Sequence, residues 1–282
     1  MNMLGTEINT KEIVDKWINE LKERSRRLYV TPNLTIVQIG DNEASNKYIK
    51  NKLSMADKLG IYARHLKFPE TITQTELNMV MKHYGEFPII LQLPVPDHIN
   101  VEQAMAQIDP KSDVDGFTHY QKSLLLDGNM DALVPATALG IHRILKETVG
   151  DLTGKKVAIV NRSHLIGKPL MQLLLSENAV PIMLHSKVPA NLLKQEIYYS
   201  DIVVTGCGKR KIFNSKNFSP GQVLIDCSMD RVDGIPGVGD MDKEEILKNI
   251  YVQIASGYGH TGMATTVGLM ENVIKVYELH MR

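Results

Sequence analysis

Three side chains raise the question of chemistry first. Ser45, Tyr48 and Lys52 lie three and four residues apart in the stretch 43–59, where Ile49, Leu53 and Ala56 recur at helical spacing. On a helix the three leave one face together. A phenol ring able to stack on a flat ligand would then share a pocket with an amine able to hold or move a proton. The same pattern also describes a half-buried tyrosine beside a lysine whose stem covers an apolar stripe, and spacing alone leaves both readings open. Gln92 stands inside the apolar run Ile89-Ile-Leu-Gln-Leu93, just ahead of Pro94-Val-Pro96. A buried amide there needs hydrogen-bond partners or costs about 1–3 kcal/mol, so it is either a satisfied structural amide or a ligand contact. In Asp113-Val-Asp115-Gly-Phe117 two acids precede a glycine. That is an ordinary loop or a place to read the paired N–H donors of an aminopyrimidine-type ring.

A second group of candidates follows the apolar run Val157-Ala-Ile-Val160. The turn Asn161-Arg-Ser-His-Leu-Ile-Gly167-Lys-Pro169 opens a helical stretch, and a strand, turn and helix in that order present backbone N–H groups to phosphate. Of a Gly-x-Gly-x-x-Gly fingerprint only Gly167 is present. Asn161 is read as a residue able to take the left-handed conformation, and Arg162 and Lys168 add positive charge. The next strand is expected to end at His185-Ser186-Lys187, without the acid that the ribose hydroxyls of NAD require. A hydroxyl and basic groups, with Arg162 nearby, suit a 2′-phosphate, so the dinucleotide expected is NADP. Tyr-x-x-x-Lys also occurs in short-chain dehydrogenases, but there the nucleotide turn precedes it in the chain; here it follows more than a hundred residues later.

The elements that must hold these groups are legible from periodicity. A helix is expected from Thr10 to 28, then strand 34–40, helix 43–59 stopped by Gly60, strand 62–68, helix 73–84 and strand 89–93, ended by the prolines. After a connecting helix at 138–149 come strand 157–160, helix 168–178 and strands at 181–185, 202–205 and 223–226. A last helix, 265–279, carries Val267, Met270, Ile274 and Tyr277 on one face. Alternating strands and helices predict an α/β fold of mostly parallel sheets. The expected division is a substrate domain at 1–136, with 264–282 packing back on it, and a Rossmann-like dinucleotide domain of three or four strands at 137–263.

The chain has 282 residues, 43% hydrophobic and 23% charged, the composition of an ordinary globular protein. With 32 basic and 32 acidic residues it carries no net charge. No overall basic field advertises nucleic acid or an anionic membrane. Cys207 and Cys227 are too few for a disulfide framework, and the nine histidines form no metal-binding motif. The expectation is a reduced, metal-free cytoplasmic protein, in which the sequons at Asn33 and Asn217 are chance matches.

Taken in order, Ala44-Ser-Asn-Lys-Tyr48-Ile-Lys-Asn-Lys52 with Gly60-Ile61, Leu91-Gln92-Leu-Pro-Val-Pro96, Asp113-Val-Asp115-Gly-Phe117, and Arg162-Ser163 with Gly167-Lys-Pro169 resemble the bifunctional methylenetetrahydrofolate dehydrogenase and methenyltetrahydrofolate cyclohydrolase family over nearly the whole chain. The resemblance implies an NADP-dependent oxidation of 5,10-methylenetetrahydrofolate, then hydrolysis of the methenyl product to 10-formyltetrahydrofolate, by a homodimer with tetrahydrofolate derivatives as substrates. It implies that Lys52 acts on the one-carbon unit, Gln92 positions Lys52, Tyr48 packs on the folate rings and Asp115 accepts hydrogen bonds from the pterin. On the cofactor side it implies Asn161, Arg162, Ser163, Ser186 and Met229. The departures cluster in the second half: Asn161 stands where the family has glycine, Pro135-Ala-Thr-Ala138 replaces a Pro-Cys-Thr-Pro segment, and Tyr258-Gly-His-Thr-Gly-Met263 keeps two small residues of a glycine-rich one. A side chain at His260 restricts φ where glycine permits close approach. Those departures motivate a second reading, a diverged paralogue that keeps cyclohydrolase or ligand-binding function with a weakened dinucleotide site. A third is another two-domain NADP enzyme of the shikimate-dehydrogenase layout.

Overall fold

The computed structural model describes residues 4–228, 238–256 and 261–281. In chain order the elements are β1 (Thr6–Glu7), α1 (Thr10–Arg26), β2 (Asn33–Ile39), α2 (Glu43–Lys58), β3 (Tyr62–Phe68), α3 (Gln74–Tyr84), β4 (Ile89–Leu91), α4 (Val101–Met105), α5 (His119–Leu126) and α6 (Ala136–Val149). They continue with β5 (Lys156–Val160), α7 (Gly167–Ser176), β6 (Val180–Leu184), α8 (Ala190–Tyr198), β7 (Ile202–Thr205), β8 (Val223–Asp226), α9 (Lys243–Asn249), β9 (Gln253–Ser256) and α10 (Thr261–His280). The chain is α/β throughout, and it divides into two compact units.

One unit is built from Lys16–Ala136 and the chain from Thr266 onward. Its sheet is parallel, in the order β3-β2-β4. The central strand β2 is buried along almost its whole length, whereas β3 at the edge alternates, as burial on two faces and on one face demand. Local signals set the helix starts. The Asn42 side chain accepts from the Ser45 N–H at 3.0 Å to cap α2, and Thr73 with Glu76 forms a capping box on α3. Behind β2 and β4, Val37, Ile39, Ile89 and Leu91 pack with Leu77, Met81 and Ile108. The last helix joins this unit through charge as well as packing: Trp17 Nε1 donates to Glu271 at 2.8 Å, and the Arg24 guanidinium grips Glu278 through two hydrogen bonds of 2.9 and 2.8 Å.

The other unit comprises the chain up to Asp15 and Thr137–Thr265. The expected boundaries therefore differ at the amino terminus. Thr6 and Glu7 pair with Gln253 and Ile254 of β9, which draws the first fifteen residues away from the stretch that follows them. The sheet is larger than the three or four strands expected: six, all parallel, in the order β1-β9-β8-β7-β5-β6. Residues from β5, β7, β8 and β9 bury one face against Phe213, Phe218, Met241, Ile246 and Leu247.

Candidate active site

In the three-stranded sheet β2 lies between β3 and β4, and in the six-stranded sheet β5 lies between β6 and β7, so the chain reverses direction of winding at each of these strands. In open parallel sheets ligands bind outside the carboxyl ends of the strands at this switch point.

At the end of β2 and β4 stand the groups expected to do chemistry. Lys52, on α2, donates from Nζ to Gln92 Oε1 at 2.9 Å. Gln92 is only 9% exposed; its own N–H donates to the Val37 carbonyl at 2.8 Å, and its Nε2 donates to the Leu93 carbonyl at 2.7 Å. Backbone and side chain together fix the carbonyl end of the amide toward the lysine. The Leu93 carbonyl also accepts from the Ser45 hydroxyl at 3.4 Å. Of the three residues on one face of α2, Ser45 therefore ties the helix to the end of β4, Lys52 meets the amide, and Tyr48 is half-buried on the same face.

Burial pushes the Lys52 amine below its usual range, and the Asp115 carboxylate opposes that push. Burial likewise raises Asp115, up to about 6, with Lys52 opposing and Asp113 adding to the rise. Each partner holds the charge of the other in a place that disfavours both. Asp113 is fully buried and structural: its Oδ2 accepts from the Thr118 N–H at 2.6 Å. Between the acids and Thr118, Gly116 takes φ +68 and any Cβ there would strike the Leu133 carbonyl, so only glycine makes this turn.

Three residues around this site escaped the sequence reading. Asn272 of α10, 1% exposed, donates to the carbonyls of Val114 at 2.8 Å and Val134 at 2.7 Å. It thereby clamps the chain directly before Asp115. Gln121 joins Pro110 to Leu133 through hydrogen bonds of 2.8 and 2.7 Å. Gln38, buried in β2, donates to Asn46 on α2 at 2.9 Å and accepts from the His65 ring at 2.8 Å. The signal that singled out Gln92, an amide inside an apolar strand, was present at Gln38 too; Asn272 and Gln121 carried no local signal.

At the other switch point, between β5 and β7, Asn161 is not left-handed. Among the described residues the non-glycine residues at positive φ are Asn178 and Lys211. Asn161 uses its side chain instead: Oδ1 accepts from the N–H groups of Ser163 at 2.8 Å and Gly167 at 3.0 Å, and Nδ2 donates to the Gly206 carbonyl at 2.6 Å. A Cβ at Gly167 would collide with the Asn161 carbonyl, the tight turn that a Rossmann-type βα junction needs. Arg162 is exposed beside it, and Ser186 and Lys187 are exposed after β6 with no carboxylate among them. This set fits a dinucleotide bearing a 2′-phosphate. Met229, and Tyr258 to His260 of the altered segment, lie outside the described residues.

Beneath these turns Asp226, fully buried at the end of β8, accepts from Ser228 and Met241 N–H groups at 3.0 and 2.9 Å and from the Ser256 hydroxyl at 3.0 Å. Burial still raises it to about 6. Asp240 accepts from Cys207 N–H at 2.6 Å and Lys209 N–H at 2.8 Å. Burial and these acids push the Cys207 thiol up to about 12 and raise Cys227 as well, which favours the neutral thiol over the thiolate at both. Among the described residues no cluster of three His, Cys, Asp or Glu side chains is arranged to hold a metal, and no helix is long and apolar enough to cross a membrane.

Residues 8–115 match the catalytic domain, and residues 135–281 the NAD(P)-binding domain, of the tetrahydrofolate dehydrogenase/cyclohydrolase family. The chain is 35% identical to the bifunctional protein FolD of Rickettsia bellii over 284 residues, which span 97% of this chain and 98% of that one. Its fold is similar to that of the bifunctional FolD methylenetetrahydrofolate dehydrogenase/cyclohydrolase of Campylobacter jejuni, with a TM-score of 0.90 and 29% identity over 98% of this chain and 99% of the other. It is also similar to the Trypanosoma brucei dehydrogenase-cyclohydrolase crystallised with NADP and an inhibitor, with a TM-score of 0.84 and 25% identity over 97% and 96% of the two chains. The chain belongs to the tetrahydrofolate dehydrogenase/cyclohydrolase family.

Proposed function

We propose that this chain oxidises 5,10-methylenetetrahydrofolate with NADP and hydrolyses the methenyl product to 10-formyltetrahydrofolate. The single observation that carries this reading is the Lys52 amine, hydrogen-bonded to Gln92 and pushed by burial toward its neutral form, in a chain of this family. When bound, NADP supplies the hydride acceptor. Everything else falls to the protein. Lys52, neutral, takes a proton from the water that adds to the methenyl carbon; protonated, it gives a proton to the N5 nitrogen as the N5–carbon bond breaks to leave 10-formyltetrahydrofolate. Gln92 holds the amine in place, with its own orientation locked by Val37 and Leu93. The ring of Tyr48 packs on the folate. Asp115, titrating at about 6, is mostly carboxylate at neutral pH and accepts from the N–H groups of the pterin. Arg162 and Ser186 hold the 2′-phosphate of the dinucleotide, Ser163 and Met229 complete the cofactor set, and Asn161 stands at the turn that the pyrophosphate reaches. The reading extends to a cytoplasmic homodimer, the second part of which sedimentation of the purified protein tests.

The reaction is tested by a pair of assays on the purified chain: NADP reduction with methylenetetrahydrofolate, and hydrolysis of methenyltetrahydrofolate. Both are expected, and both are expected to vanish in Lys52→Met. Hydrolysis without NADP reduction would instead identify a cyclohydrolase with a failed dinucleotide site, and absence of both would overturn the reading.

A further inference from the structure

The first turn of α7 is where a phosphate would find free N–H groups, and each of them is already taken. Ile166 N–H donates to the Ser163 hydroxyl at 3.1 Å, Gly167 N–H to the Asn161 carboxamide at 3.0 Å, and Lys168 N–H to the Ser163 carbonyl at 3.1 Å. Pro169 has no N–H to offer, and Leu170 N–H donates to the Ile166 carbonyl at 2.9 Å. Ser163 N–H, one turn earlier, also donates to the Asn161 carboxamide at 2.8 Å. On the facing loop after β7 the pattern repeats: Gly206 donates to the Val160 carbonyl at 3.3 Å, Cys207 and Lys209 to Asp240 at 2.6 and 2.8 Å, and Gly208 to the Ser228 hydroxyl at 3.0 Å.

Most of these acceptors are backbone groups or side chains set back from the turn. Asn161 differs because it is the first residue after β5, the position that a dinucleotide turn gives to its first glycine, next to the helix N-terminus where the pyrophosphate sits. Its carboxamide spans the switch point, receiving two N–H groups from the α7 side and donating to Gly206 at 2.6 Å on the β7 side. A carbonyl oxygen accepting two backbone N–H groups does there what a phosphate oxygen would do.

We propose that the Asn161 carboxamide is an internal ligand of the pyrophosphate cradle, which a dinucleotide must displace to bind. This rests on the dinucleotide reading above and deepens it: Asn161 sets the affinity for the dinucleotide, while Arg162 and Ser186 set the choice of NADP over NAD. Displacement exchanges two N–H bonds to an amide for two to an anion, and frees the Gly206 carbonyl. The exchange is charge-assisted and therefore favourable, but its gain is smaller than in a turn whose N–H groups start unpaired. NADP and NAD share the pyrophosphate, so the internal ligand weakens both by the same factor.

The test is calorimetric titration of the purified full chain, Asn161→Gly and Asn161→Ala with NADP, NAD and adenosine 2′-monophosphate, which lacks a pyrophosphate. Removal of the carboxamide is expected to tighten NADP and NAD alike by about tenfold. Adenosine 2′-monophosphate is expected to bind all three proteins equally, and the ligand-free variants are expected to melt at lower temperature because three hydrogen bonds are lost. Asn161→Asp keeps the acceptor and adds a negative charge, so it is expected to weaken both dinucleotides. Unchanged or weaker NADP binding in both folded Gly and Ala variants, with the parent binding normally, would overturn this proposal and leave the dinucleotide reading intact. No binding of either dinucleotide to any of the proteins would overturn both.

Discussion

The carboxyl ends of the two sheets share a topology and differ in what they do with polar groups. At the end of β2 and β4, an amine and a carboxyl are kept where burial disfavours the charge of each, and the groups around them serve to hold them there. At the end of β5 and β7, the polar groups close on one another: Asn161, Ser163 and Ile166 leave no first-turn N–H of α7 unpaired, while Asp240 takes N–H groups of the loop after β7 and Asp226 that of Ser228 after β8. The first arrangement stores reactivity in ionisable groups. The second pairs its polar groups with one another and leaves Arg162 exposed beside them. The comparison teaches that a switch point supplies a location, while the side chains at the strand ends decide whether it is a reactive centre or a closed one.

The comparison is broken most sharply by Lys52→Met. If the amine is the reactive group, turnover falls by at least the 10²- to 10⁴-fold typical of a lost acid or base, with the circular dichroism of the parent retained; an active variant would remove Lys52 from the chemistry. Next in size is Asn272→Leu, which strips two buried carbonyls of their donor. It is expected to cost about 1–3 kcal/mol in chemical denaturation and to raise KM for folate more than it lowers kcat, because the loop before Asp115 loses its clamp. Arg162→Ala sharpens the other end: NADP is expected to weaken by about tenfold with NAD nearly unchanged, and an equal loss for both would argue against contact with a 2′-phosphate.

The smallest effect is on pH dependence. Asp115 raises Lys52 against the lowering by burial. Asp115→Asn removes the carboxylate that stabilises the ammonium, so the lysine releases its proton at lower pH. The rising limb of hydrolysis against pH, measured at saturating substrate, is expected to move toward acid. A limb that stays in place would separate the two groups energetically.

Much of the fold was legible because its signals are local. The starts of α2 and α3 follow from Asn42 and Thr73 as caps, and the buried strand β2 from a run rich in β-branched residues that ends at Gly40. The elements that escaped were short or non-local. β1 has two residues and exists only through its pairing with β9, and α4 and α9 run to five and seven residues, too few for a period to show.

The site divides in the same way. Sequence by itself determined which residue types were available and on which elements: the amine and ring on one face of a helix, the amide at the end of a strand, the acid pair before a glycine, the turn after β5. It also carried the family. Only the tertiary structure decided that Lys52 meets Gln92 forty residues away at 2.9 Å, that Asn272 grips the chain 158 residues before it, and that Asn161 fills its own turn with a side chain rather than bending its backbone. The physical reason is the range of the forces: capping and periodicity act within a few residues of chain. Burial, which moves the protons of Lys52 and Asp115, and hydrogen bonding between distant segments exist only once the chain has packed.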